Sequence, residues 1–254
     1  MKNYPSSTLL LFLALLFIGC SPRQLSKSYN EQKVHRAYME CIGDAAKPQP
    51  WEVTSQLVAI KQQNPDLVWK EVNGKSYILV SSWKADTTYY KNDPKTDTYN
   101  TGKYPIWVTV IPELQGVCQD KKFGRKEGLD LRLKQLLGLP PTANKTYFIE
   151  FWVRPQDLFR PCLDSKVAEV NCGLAFPEYE TDQHKQWIND LRLDSYYNPV
   201  WNKNYPWTQL GYTYDWHPKN KHHVGLSEFV IGKNKDIIVH KIYSTAAYCG
   251  IKGS

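Results

Sequence analysis

Apolar and polar positions divide this 254-residue chain into three stretches of different character. Residues 9–18, LLLFLALLFI, are apolar without a break. At ~1.5 Å per helical residue that run covers about half of a ~30 Å hydrocarbon core, too little for a membrane-spanning helix and the right length for the apolar region of a signal peptide. Residues 21–33, SPRQLSKSYNEQK, are polar and show no apolar period, the pattern of a tether. From about residue 35 to the end, the chain carries the alternating and periodic patterns of a folded body.

Within that body, residues 31–42 have the composition of a short helix. LVWKEVNGKSYILVSSW (67–83) places Asn73-Gly74 between two strand-like runs, a strong two-residue hairpin signal. Residues 84–104, rich in Asp, Asn, Thr and Lys, read as a long loop, and IWVTVI (106–111) as a buried central strand. Leu129, Leu133, Leu136 and Leu137 share one helical face, with Gly128 before them and Gly138 and Pro140-Pro141 stopping the helix. In YFIEFWVRP (147–155), Tyr147, Ile149, Phe151 and Val153 form an apolar strand face, while Phe148, Glu150, Trp152 and Arg154 form a mixed one. TDQHKQWINDL (181–191) reads as a helix capped by Thr181, and WTQLGYTYDW (207–216) as a strand. LSEFVIG and KDIIVHKIY then predict a hairpin around Lys233-Asn234-Lys235. Strands in runs, not alternating with helices, predict an α+β fold. The expectation is a mainly antiparallel sheet of about six or seven strands with two or three helices, in one domain over 35–254.

Gly19 followed by Cys20 closes the apolar run. The leader resembles the lipobox signal peptide of bacterial lipoproteins, although Phe17 stands where that pattern most often has Leu. The resemblance implies removal of residues 1–19, lipidation of Cys20 and a flexible tether over 20–34. It also implies attachment to the bacterial cell envelope, at the outer membrane in a Gram-negative host because Ser21 follows the cysteine. Export argues against nucleic acid as a physiological partner. The formal charge of +7 becomes +6 once Lys2 is removed, and is spread along the chain. With Cys20 lipidated, Cys41, Cys118, Cys162, Cys172 and Cys249 remain for an oxidising compartment. Their number is odd, so at least one stays unpaired or bonds another chain. Several pairings are open; the short separation puts Cys162–Cys172 first, and Cys118–Cys249, each following a predicted strand, second. CxxC spacing is absent, so neither zinc nor thioredoxin-like chemistry is supported.

Three constellations are candidates for a site. In EFWVRPQDLFRPC (150–162), Glu150, Trp152, Arg154, Asp157 and Arg160 put charges of both signs beside an indole. Glu150 and Arg154 lie ~13 Å apart along a strand, so they do not pair directly. Residues 196–216 are dense in aromatics, and Tyr212, Tyr214 and Trp216 share a strand face on which a sugar or other flat ligand stacks; the same rings also suit an ordinary core. Asp215, His217, His222 and His223 lie close together, but Lys219 and Lys221 are interleaved and no ordered ligand spacing is present, so no metal or cofactor is expected. Ser227 in GLSEF lacks the second glycine of a nucleophile elbow. LRLKQLLGLPP, EFWVRPQDLFRPC, YPWTQLGYTYDW and GLSEFVI resemble signature stretches of a family of uncharacterised bacterial exported proteins, a resemblance that implies no activity.

The leading expectation is a membrane-anchored, non-catalytic binding or structural lipoprotein whose partner is an envelope glycan, a protein or a small molecule. The alternatives are a hydrolase-like enzyme built on Glu113, Glu150, Arg154, Asp157 and His217, and an accessory subunit of an envelope complex.

Overall fold

The computed structural model describes residues 22–200 and 203–251; the leader and Cys20 lie outside them. Helix α1 (Pro22–Ala45) comes first. Residues 22–34, expected as part of a flexible tether, are therefore helical. Neither proline nor glycine occurs between Arg23 and Ile42, and the C-terminal half is held in place by Tyr38, Ile42 and Ala45, which pack on Tyr214 and Trp216. No helix among the described residues is long and apolar enough to cross a membrane.

The body is α+β. Strands β1 (Trp69–Val72), β2 (Lys75–Lys84), β3 (Tyr99–Asn100), β4 (Ile106–Val110), β5 (Tyr147–Val153), β6 (Leu158–Phe159), β9 (Phe229–Ile231) and β10 (Asp236–Ser244) form one antiparallel sheet. Its order is β3-β10-β5-β2-β4-β9-β6, with β1 also on β2. β7 (Tyr212–Tyr214) and β8 (Val224–Ser227) form a separate two-stranded ladder. The helices that cover the sheet are α2 (Glu113–Cys118), α3 (Leu129–Leu136), α4 (Asp182–Tyr196) and α5 (Thr245–Tyr248).

The first hairpin forms where the sequence places it. Asn73 and Gly74 both take positive φ, 49° and 69°, as a two-residue turn matched to strand twist requires. Thr181 caps α4 by accepting a hydrogen bond from the His184 amide. The expected hairpin around Lys233-Asn234-Lys235 does not form: β9 pairs with β4 and β6, and β10 with β5 and β3. The turn is held by a third segment instead. The Asn234 amide donates to the Gly102 carbonyl, and Thr101 Oγ1 donates to the Gly232 carbonyl and accepts from the Lys235 amide.

β9 and β10 are four places apart in the sheet, ~19 Å if it were flat, and so short a turn spans them only because the sheet curls. The hollow is filled by the main core, to which Ile78, Val80, Val108, Phe151, Phe229 and Ile237 contribute from both ends of the sheet. The outer face is covered too, so Phe148, Glu150 and Trp152 of the face expected to be mixed are buried, while Arg154, just past β5, is half-buried. Phe148 stacks between Trp83 and Tyr248, at 5.6 and 4.1 Å between ring centroids. Of the expected strand 207–216, only Tyr212–Tyr214 is extended and paired in a ladder.

Cys118–Cys249 and Cys162–Cys172 are disulfide-bonded, and Cys41 is a free thiol. The first bond ties α2 to the residue after α5; the second closes the loop after β6.

Candidate functional site

β2 and β4 are paired only at Val80↔Val110 and Ser81↔Thr109. Beyond that point they part, spanned by a hydrogen bond from Ser82 Oγ to the Trp107 carbonyl (2.8 Å). A cavity of about 690 Å³ opens there, and consecutive residues of both strands, Ser81 to Lys84 and Trp107 to Thr109, line it. The other walls come from the end of α4 (Leu191, Asp194, Ser195), the segment Tyr205-Pro206-Trp207, the turn Leu137-Gly138-Leu139 after α3, and β7.

Six aromatic residues line the cavity: Trp83, Trp107, Tyr205, Trp207, Tyr212 and Tyr214. Several of their polar tips are committed elsewhere. Trp207 Nε1 donates to the Pro161 carbonyl (3.0 Å), the Tyr212 hydroxyl to the Glu52 carbonyl (2.9 Å) and the Tyr214 hydroxyl to Asp44 (2.7 Å). These residues therefore contribute apolar ring surface to the cavity.

Polar and charged residues share the lining with these rings. Thr109 Oγ1 is buried and has no hydrogen-bond partner among the described residues. Ser81 Oγ, on the neighbouring strand, accepts from the Tyr248 hydroxyl (3.0 Å). Glu228, between β8 and β9, lines the cavity, and its carboxylate makes no hydrogen bond or ion pair to any described residue. Burial pushes its pKa up to about 8. Lys84 and Lys145 line the cavity as well. Burial, and then the charge of Lys145, bring the Lys84 ammonium down to about 8; burial also lowers Lys145.

Of the candidates named from sequence, Tyr212 and Tyr214 line this cavity. Trp216 does not: its indole donates to the Leu139 carbonyl (3.0 Å) and packs edge-on against Tyr38. Glu150 and Trp152 lie on the sheet near His240, at 3.9 Å from the His240 Nε2 and 5.4 Å between rings respectively. Arg154 and Asp157 form an ion pair (2.7 Å) joined by Lys235 (3.3 Å). Arg160 is fully buried and acts as a backbone tie. Its guanidinium donates to the carbonyls of Gly211, Val58, Val167 and Glu169 and lies 4.5 Å from the centre of the Phe229 ring. Gly211 has φ +80°, and a Cβ there would stand 2.7 Å from Arg160 Cδ, so glycine admits the arginine stem.

The groups of the hydrolytic alternative do not converge. None of Glu113, Glu150, Arg154, Asp157 and His217 lines the cavity. Glu113 receives the Ser227 amide (3.0 Å) and hydroxyl (3.2 Å) in a buried contact, and burial lifts its pKa to about 7 despite Arg160 nearby. His217 pairs with Glu127 (3.0 Å), His223 stacks on Tyr214, and Asp215 accepts both arms of Arg132 (2.9 and 2.8 Å). Among the described residues no three His, Cys, Asp or Glu side chains are grouped to hold a metal ion.

Sequence reading passed over Glu228, Lys84, Lys145 and Thr109. The only local signal was a lone glutamate next to the apolar run FVI, at a strand start where a buried charge needs a reason. No known protein family, curated protein or solved structure matches the chain.

Proposed function

We propose that this chain is an exported lipoprotein of the bacterial cell envelope, at the outer membrane in a Gram-negative host, that binds a small molecule in its aromatic cavity. The observation that carries the binding reading is a cavity of about 690 Å³ lined by six aromatic residues and by the unpartnered carboxylate of Glu228. Ligand sites generally measure ~300–1,000 Å³ and combine apolar walls with a few placed polar groups. The apolar leader ending in Gly19-Cys20 supports the anchor. In this reading the N-terminal part of α1 leads from the lipid to the body, on which its C-terminal half packs.

The test is a calorimetric screen of small aromatic molecules, indole among them, against the protein and an Asn198→Trp variant. Asn198 lies on the cavity wall just after α4, and an indole there narrows the space. Binding lost in the variant supports the reading; binding unaffected by it overturns the assignment to this cavity. Retention of a Cys20→Ser form in the membrane fraction would overturn the anchor.

A further inference from the structure

Resting on that binding reading, we propose that the cavity takes a zwitterion of short-peptide length, with its ammonium on Glu228, its anionic group on Lys84 and Lys145, and an apolar body between the indole rings. Three observations converge on it. First, the cavity holds charge-bearing groups of opposite sign that do not satisfy each other. Glu228 has no partner among the described residues, and neither Lys84 nor Lys145 forms an ion pair there.

Second, the topology sets the two ends apart. β9 pairs with β4 up to Val108↔Phe229, so Glu228 continues that row next to Thr109, which pairs with Ser81 of β2. Two strand spacings of ~4.8 Å separate Glu228 from Ser81, and three residues of ~3.3 Å separate Ser81 from Lys84, placing the Glu228 and Lys84 Cα atoms roughly 14 Å apart. Lys145 is two residues before β5, whose Tyr147 is opposite Lys84, so it belongs to the same end. A short extended peptide, at ~3.3–3.6 Å per residue, covers a separation of that order.

Third, the material between the ends is aromatic, with Trp83 and Trp107 on the strands and Trp207 opposite. Such rings stack on an apolar or aromatic body, and their faces also favour a cation near Glu228. Asp194 and Lys203 also line the cavity, but both are exposed, so water screens them and they do not define a fixed end. A ligand with one charge alone would leave the other end unmatched; a neutral ligand would leave both.

The probes are the tripeptide Gly-Phe-Gly, its N-acetyl form, its C-terminal amide, and the doubly blocked form, titrated calorimetrically at pH 7 into the full chain in detergent. Free Gly-Phe-Gly is expected to bind at least tenfold more tightly than the doubly blocked form, with each singly blocked form between them. Glu228→Gln should erase the difference between free and N-acetyl peptide; Lys145→Met should erase that between acid and amide. Both substitutions nearly conserve volume, and unchanged melting curves would show that the fold is kept. Equal affinity of free and doubly blocked peptide overturns the two-charge assignment and leaves the cavity as a binding site. The same holds if no peptide binds while indole still binds in a manner lost with Asn198→Trp. If neither peptides nor indole bind, both the assignment and the binding reading fall.

Discussion

Arg160→Met would separate the structural role of this residue from a role in ligand contact. Met keeps much of the aliphatic stem and removes the guanidinium. That group donates to four carbonyls, but they do not lose equally. Gly211 O also accepts from the Glu228 amide (3.0 Å), and Val167 O from the Ile60 amide (2.9 Å). Val58 O (2.9 Å) and Glu169 O (3.0 Å) have no other backbone donor among the described residues. Leaving two buried carbonyls unpaired costs ~1–3 kcal/mol each, and loss of the Phe229 contact adds ~0.5–2 kcal/mol. Against this stands the desolvation of the guanidinium, visible in its pKa being lowered to about 10, and the unpartnered Nε. A net loss of ~3–5 kcal/mol follows, typical of breaking a buried charged network. In urea the midpoint should move by 1 M or more, taking a slope of ~1–3 kcal/mol per M. Binding to the folded fraction should be unchanged. A loss below ~1 kcal/mol, by the scale of a single neutral hydrogen bond, would refute the view of Arg160 as the tie among these segments.

Three further outcomes follow. Replacing Cys118 and Cys249 by serine opens a loop of 131 residues and should cost ~2–5 kcal/mol, read as a lowered urea midpoint; no change would show that the bond adds nothing to the fold. Stability should fall as pH rises from 5 to 8. Glu113 and Glu228 carry folded pKa values of about 7 and about 8, above their unfolded value near 4.5, so their contribution is complete below that value and is lost as pH climbs through the folded ones. The opposing shift of His240, lowered by burial, is a single smaller contribution around its ordinary pKa. Glu113→Gln should flatten the part of the slope between its unfolded value near 4.5 and its folded value of about 7, checked by melting temperature across that range. In a Cys20→Ser form, thiol titration should find one group per chain. It should react slowly in the native state, because burial pushes the half-buried Cys41 thiol up to about 11.

Local pattern alone determined much of this protein. Asn73-Gly74 specifies a hairpin because two positive-φ residues match the twist of adjoining strands. Thr181 starts α4 because its hydroxyl accepts the His184 amide. The leucine stripe over 129–137 makes α3, and strands in runs make an α+β sheet. These signals lie within a few residues, where chain geometry is decided by sterics and hydrogen bonding nearby.

Tertiary structure decided what depends on distant partners. β9 and β10 look like hairpin arms, yet the curl of the sheet and the grip of Thr101 on the turn send them to different neighbours. Arg160 reads as a charged ligand residue and becomes a buried tie, because the carbonyls it meets come from segments as far as 102 residues away. Residues 22–34 read as a polar tether and are helical, because the later half of the same helix finds Tyr214 and Trp216 to pack on. The cavity is the clearest case. Glu228, Thr109 and Lys84 lie far apart in the chain, and each alone is an ordinary residue; the parting of β2 from β4 puts them on the walls of one cavity.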